Sequence, residues 1–340
     1  MRVSGESLAS LGEFGLIERL RRLVPGDGPG VILGIGDDAA LLRFAGPAVA
    51  TCDVQVEGVH FTWDLCPPED LGWRAIAVNL SDVAAMAGTP RFALISLALP
   101  PDVTLERIEC VYRGIGAIAT AYTIAIVGGN LSGTSGPLVI DITVLGEADQ
   151  AVTRSGARPG DDVWITGSVG KSAAGRFLLQ HPEIRVAGWE TLVQAYRRPT
   201  PRVAAGKALA RTGMVTAMLD TSDGTAADLL HLAEASHVGV RLDTPRLPVA
   251  AGLMDAARAG RQDPAAWTVD GGEDYELLFA AAPAFAAEAA RLAARLKVGL
   301  TRIGEILPAS EGRWIIDADG TRRALSPRGW DHLRARGHRL

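Results

Sequence analysis

Short apolar runs recur along this chain, and several of them stop at turns written in Gly, Asp and Asn. The run over 31–35 stops at Gly36-Asp37-Asp38, and that over 48–52 stops at Asp53. The run over 124–127 stops at Gly128-Gly129-Asn130, and that over 215–219 at Asp220-Thr221-Ser222-Asp223-Gly224. Runs this short fit buried strands, and each would deliver a polar turn to a sheet edge. Further strands are predicted over 91–99, 138–145, 162–166, 238–242 and 275–280. Between them lie stretches of helical periodicity over 11–23, 67–87, 104–121, 172–179, 202–212, 225–236 and 284–296. The mixed order of strands and helices predicts an α+β fold rather than a strictly alternating one. At 340 residues the chain suits two domains. The polar, turn-rich stretch TRSGARPGDD places the boundary, giving an N-terminal mixed α/β domain over 1–150 and a C-terminal α+β domain over 151–340.

Composition narrows the function classes. Hydrophobic residues make up 48% and charged residues 21%, which excludes a disordered or fibrous chain. A net charge of −5 lacks the basic footprint of a nucleic-acid binder. The longest apolar runs, such as that over 93–99, are far shorter than the roughly 20 residues of a membrane span. The N-terminal MRVSGE has no apolar signal-like core, and the odd set Cys52, Cys66 and Cys110 suits a reducing compartment; both predict a cytoplasmic protein. Only Lys171, Lys207 and Lys297 are lysines, so nearly all the positive charge is arginine.

Two glycine-rich stretches come close to phosphate-binding motifs. Gly34-Ile35-Gly36-Asp37-Asp38-Ala39 fits a dinucleotide fingerprint, yet its two aspartates would repel a pyrophosphate. Gly167-Ser168-Val169-Gly170-Lys171-Ser172 resembles a P-loop, but the glycine required five residues before Gly170 is Ile165. That loop is too short to wrap phosphates, which predicts a plain strand-to-helix turn. Gly114 and Gly116 fall inside a predicted helix and read as packing positions.

The acids beside glycine are more informative. They are Gly36-Asp37-Asp38, Asp53, Asp82 in Asn79-Leu80-Ser81-Asp82, Asp220 and Asp223 in DTSDG, and Gly271-Gly272-Glu273-Asp274, with Asn130 joining them. Asn79 and Asp82 are three apart on a predicted helix and share a face. Any one of these turns is explained by an Asx-turn or a cap. Together, with hydroxyls interleaved and no His or Cys ligand set, they suit oxygen coordination of Mg²⁺, which is usually completed by substrate phosphates. From the residues alone this is a Mg²⁺-dependent, nucleotide-using enzyme.

The motifs LGEFGLIERL, GIGDDAALL, TCDVQVEGVHF, WRAIAVNLSDVAAMAGTP, VGGNLSG, TRSGARPGD, LDTSDGTAADL, GGEDYELLF and SPRGWDHL occur in this order. The set resembles the thiamine-monophosphate kinase family of the aminoimidazole-ribotide-synthetase-like superfamily. VEGVHF together with GGEDYEL is specific to that family. The resemblance implies a two-domain synthetase-like fold with an ATP cleft between the domains. It implies a homodimer that pairs its N-terminal sheets, and transfer of the γ-phosphoryl of ATP to thiamine monophosphate. In matching positions, Asp38, Thr51, Cys52, Asp53, Asp82, Asn130, Asp220 and Asp223 would bind several Mg²⁺ ions. Tyr112, Gly129, Asn130, Arg154 and Ser222 would contact ATP, and His60, Glu273 and Trp330 would contact thiamine monophosphate. No residue is implied as nucleophile or base, because the acceptor phosphate oxygen is already deprotonated.

Three positions depart from the family pattern. Asn130 stands where many members carry Asp, and Cys52 replaces a hydroxylated residue, leaving its backbone carbonyl as oxygen ligand. Lys171 replaces an acid common in the G-x-x-G-[acid]-S turn. Other superfamily members, selenophosphate synthetase and the hydrogenase-maturation dehydratase, depend on an N-terminal reactive Cys or a C-terminal Cys tail absent from this sequence. A catalytically idle binding module and a P-loop NTPase are the competing readings from other classes.

Overall fold

A computed structural model of the chain describes residues 8–326. It divides into two compact units. The first holds the described residues up to Leu80 together with Thr89–Ala148, and the second holds Ser81–Gly88 and the chain from Asp149 onward.

The first unit opens with α1 (Leu8–Leu20), kinked at Gly12, where φ is 67°. A small antiparallel pair follows, β1 (Val31–Leu33) and β2 (Leu41–Leu42). The main elements are β3 (Ala48–Val56), α2 (Pro68–Ala85), β4 (Thr89–Leu99), α3 (Leu105–Tyr122), β5 (Ala125–Gly133) and β6 (Val139–Glu147). Four of these strands form one sheet in the order β3-β6-β4-β5, antiparallel except for β4 beside β5, which the α3 crossover joins. Burial alternates along β6: Ile140, Ile142 and Val144 are buried while Asp141 and Thr143 are half-buried, so one face is a core face and the other is polar.

Helices α2 and α3 approach at glycines on both sides. A Cβ on Gly72 would lie 1.9 Å from the Val111 carbonyl oxygen, and one on Gly114 would lie 1.9 Å from that of Glu69. Gly114 is thus a packing residue, as its place in a predicted helix implied. Gly72→Ala is expected to cost about 1–3 kcal/mol or more through overpacking, despite alanine's better helix propensity. Chemical denaturation would measure it.

The second unit contains β7 (Asp162–Thr166), α4 (Lys171–Gln180), α5 (Trp189–Arg197), α6 (Val203–Ala210), β8 (Val215–Asp220) and α7 (Thr225–Ala235). It continues with β9 (Gly239–Asp243), α8 (Leu253–Gly260), α9 (Pro264–Thr268), β10 (Leu277–Ala281) and α10 (Ala286–Leu296). The strands β11 (Leu300–Leu307), β12 (Arg313–Ile316) and β13 (Arg322–Ala324) complete a seven-stranded sheet ordered β13-β12-β9-β11-β7-β10-β8. Its core joins Val163 and Ile165 of β7, Leu229 and Leu232 of α7, Val240, Leu278, Ile303 and Ile306.

The architecture is α+β in two domains. It also disposes of both near-motifs. β7 runs antiparallel to its two neighbours, β10 and β11, unlike the parallel sheet behind a P-loop. The Gly34–Ala39 stretch leads into β2 and not into a helix, so no helix N-terminus is there to receive a pyrophosphate. Among the described residues no helix is long and apolar enough to cross a membrane.

Candidate active site

In the first unit, the polar residues expected at strand ends lie inside strands. Thr51, Cys52 and Asp53 are in the middle of β3, and Gly128, Gly129 and Asn130 are inside β5. Thr51 and Asp53 share one face, Asp53 opposite the buried Ile142. Cys52 takes the other face, where its thiol donates to the Asp141 carboxylate (3.0 Å). Asn130 pairs with Ser96, which pairs with Asp141, so register aligns the amide with the Cys52 face. Gly129 has no room for a side chain: its φ is 157° and a Cβ would lie 1.9 Å from the Ile95 carbonyl oxygen. Asp38 is exposed, in a bend where its amide donates to Asp37.

His60 follows β3 in a turn that uses the ring. Its Nδ1 accepts from the Val56 amide (2.9 Å), which leaves the proton of a neutral imidazole on Nε2 as a donor. Tyr112, on α3, is buried, and burial pushes its hydroxyl far above the ordinary value, so it stays protonated.

In the second unit two turns are laced together. One is the DTSDG turn that links β8 to α7, and the other is 271–276, which enters β10. The amides of Glu273 and Tyr275 donate to the carbonyls of Ser222 (2.8 Å) and Thr221 (2.9 Å), and the Thr221 amide donates to that of Glu276 (2.8 Å). Ser222, Asp223 and Glu273 stay partly exposed while Asp220, Thr221, Asp274 and Glu276 are buried. The end of α2 joins the same place: Ser81 Oγ donates to Asp220 Oδ2 (2.5 Å), and the next residue is Asp82. Arg154 is exposed, and its carbonyl accepts from Ser236 Oγ (3.1 Å).

Three buried acids here were given no role by the family resemblance, although Asp274 stood among the glycine-linked acids of the sequence. Asp228, in the first turn of α7, accepts from the amides of Asp223 (3.2 Å) and Gly224 (3.0 Å). Burial raises its pKa well above the ordinary value, helped by the charges of Asp220 and Asp223 and opposed by those two amides. Asp274 accepts from the amides of Gly170 and Ser172 at the start of α4. Burial pushes it up to about 7, against the pull of these amides and the Lys171 charge.

Glu276 is the third. Arg202 grips its carboxylate with two hydrogen bonds of 2.6 Å, Lys171 Nζ reaches it at 2.7 Å and Thr166 Oγ1 at 2.6 Å. Burial alone would raise Glu276, but the Arg202 hydrogen bonds and the two positive charges outweigh it and hold the carboxyl below its ordinary value. A cavity of about 350 Å³ opens beside Lys171, Arg202 and Asp274. None of the positions that the resemblance assigns to metal, ATP or substrate lines it.

The whole chain is similar to known proteins. Residues 36–148 match the AIR synthase related protein N-terminal domain and residues 158–317 its C-terminal domain. The thiamine-monophosphate kinase of Escherichia coli (strain K12) is 37% identical over 331 residues, covering 95% of this chain and 98% of that protein. The chain belongs to the thiamine-monophosphate kinase family. The thiamine-monophosphate kinase structure from Stenotrophomonas maltophilia K279a superposes with a TM-score of 0.79 at 37% identity, covering 91% of this chain and 97% of that one. AaThiL complexed with AMPPCP and TMP superposes at 0.74 with 35% identity, covering 96% and 98%. E. coli HypE, a hydrogenase maturation protein, gives 0.76 at only 20% identity, a likeness of fold alone.

Within this kinase family fold, the metal question turns on the donor set. Among the described residues no group of three or more His, Cys, Asp or Glu side chains is placed to hold a metal ion. That is no ready-made protein cage. It fits Mg²⁺ nonetheless, which takes one or two carboxylates and completes its shell with phosphate and water. The thiol of Cys52, turned to Asp141, fits its replacement of a hydroxylated residue: only the carbonyl is left as a hard oxygen donor on that residue. Trp330 lies outside the described residues.

Lys171, the departure from the family's acid, is a partner of Glu276. Lys171→Ala is therefore expected to lower stability by about 1–3 kcal/mol, as loss of a hydrogen bond to a buried charge does, while turnover stays near the parent value. Denaturant midpoints and steady-state rates would show both; loss of turnover with an intact fold would restore the P-loop reading.

Proposed function

We propose that this protein transfers the γ-phosphoryl group of ATP to the phosphate of thiamine monophosphate, giving thiamine diphosphate and ADP, in a direct in-line displacement. The observation that carries the proposal is full-length likeness to thiamine-monophosphate kinases, with AaThiL binding AMPPCP and TMP. The hydrogen-bonded lacing of the DTSDG and GGEDYE turns supports it. Both reactants are polyanions and the attacking oxygen carries no proton at neutral pH, so the chain needs no general base. Its task is alignment and charge neutralisation.

Asp38, Thr51, the Cys52 carbonyl, Asp53, Asp82, Asn130, Asp220 and Asp223 would hold several Mg²⁺ ions. When bound, these supply the positive charge that lets the two phosphates approach. Tyr112, Gly129, Asn130, Arg154 and Ser222 would hold ATP. The hydroxyl of Tyr112 acts as a donor, Gly129 admits close backbone approach, and Arg154 supplies a permanent positive charge. Glu273 and His60 Nε2–H would hold thiamine monophosphate, with Trp330 stacking on its charged thiazolium ring. The N-terminal unit would bring ATP and Mg²⁺ ligands and pair its sheet in a homodimer, while the C-terminal unit would supply the remaining ligands.

A mass-spectrometric assay offering thiamine and its monophosphate side by side with ATP and Mg²⁺ tests the reading. Diphosphate from the monophosphate alone is expected. Phosphorylation of free thiamine, or ATP turnover with neither acceptor consumed, would contradict it.

A further inference from the structure

Resting on that reading of Glu273, we infer that Asp274 is a positioning residue for the substrate turn: its carboxylate, pinned to the start of α4, holds Glu273 in the conformation that meets thiamine monophosphate. The turn needs such a pin. Glu273 and Tyr275 both lie in the left-handed region, with φ of 67° and 51°, although neither is Gly or Asn. Side chains rarely adopt that conformation, and two such residues flanking one another's neighbour persist only where the surroundings over-determine them.

Four hydrogen bonds do so. The amides of Glu273 and Tyr275 are tied to Ser222 and Thr221, and the residue between them, Asp274, accepts from the amides of Gly170 and Ser172. These two donors belong to the start of α4, where amides have no partner within the helix. Asp274 is 7% exposed and Glu273 is only partly buried, so the pin is sheltered while the residue it supports is partly exposed. Lys171 of α4 and Glu276 at the end of the turn are the charged groups that act on Asp274. Glu276 is itself held by Arg202 and Lys171, which fixes the far end of the turn independently.

Asp274 thus works through Glu273 and touches no substrate. Its replacement should weaken binding of one substrate only. Asp274→Asn, an isostere that keeps one acceptor, is expected to raise KM for thiamine monophosphate about tenfold, the equivalent of one hydrogen bond to a charged group. KM for ATP and kcat should stay near the parent values. Glu273→Ala should raise the same KM, and the double variant should be no worse than the larger single one. Ser172→Pro removes one of the two donors and should raise the same KM by a smaller factor. If Asp274→Asn and Ser172→Pro lower thermal stability but leave KM for thiamine monophosphate unchanged, or if the Glu273 and Asp274 effects multiply in the double variant, the inference is overturned. An unchanged KM in Glu273→Ala would instead overturn the reading of Glu273, and this inference with it.

Discussion

Asp82→Asn and Asp53→Asn proteins are expected to fold normally and to lose about 10³-fold in turnover, the scale of removing one electrostatic contact to a developing charge in a reaction centre. Both side chains are only partly buried, so an amide of the same shape leaves the packing of α2 and β3 unchanged. What it removes is a unit of negative charge. Asp82 follows Ser81, whose hydroxyl holds Asp220, so the end of α2 and the end of β8 act as one acidic element. Two polyanions cannot approach such an element without cations, and a neutral amide neutralises none of their charge, so it holds them more weakly than a carboxylate. The losses should be partly recovered at high Mg²⁺ concentration. Circular-dichroism melts beside steady-state rates would check this, and near-parental turnover in both variants would remove Asp53 and Asp82 from the metal-binding set.

The largest effect on stability belongs to Glu276. Glu276→Ala leaves Arg202 and Lys171 facing a buried space with no counter-charge, and breaking such a pair from one side costs about 3–5 kcal/mol. The pH dependence has a definite sign. Glu276 is depressed in the folded state, so its contribution is complete above the ordinary carboxylate value and is lost as pH falls through the lower folded value. Asp274 is raised to about 7, so burial of its charged form subtracts stability progressively as pH rises from its ordinary value of 3.8 to about 7, and no further above that. The parent protein should therefore lose stability at both ends. Glu276→Ala should flatten the acid limb, and Asp274→Asn should flatten the limb between about pH 4 and 7. Urea midpoints taken from the acid limb up to about pH 7 would show it; an acid limb unchanged in Glu276→Ala would contradict the buried-pair account.

The turns proposed to carry the chemistry were readable because glycine stands beside their acids, as in DTSDG and GGEDYE. The strand limits were less so. Reading an apolar run stops at the first polar residue, whereas a ladder continues as long as backbone amides pair. β3 therefore runs on through Asp53 to Val56, and β5 through Gly128-Gly129-Asn130 to Gly133. The short helices α5, α8 and α9 went unread: eight or nine residues, or five in α9, give little periodicity to detect, and the eight-residue α6 was read only within a longer stretch over 202–212. Glu276 gave no signal at all. It sits among the apolar residues of YELLF, and the partner that makes sense of it, Arg202, is 74 residues away in sequence. Asp228 went unread: it lies in the first turn of α7, where an acid is ordinary because it favours the helix dipole.

The central claim, phosphoryl transfer from ATP to a phosphate acceptor, is tested most directly by ³¹P NMR of the protein with ATP, Mg²⁺ and thiamine monophosphate. The monophosphate resonance should give way to the two coupled resonances of thiamine diphosphate, in step with ADP and without inorganic phosphate. Release of inorganic phosphate with the monophosphate resonance unchanged would contradict the account.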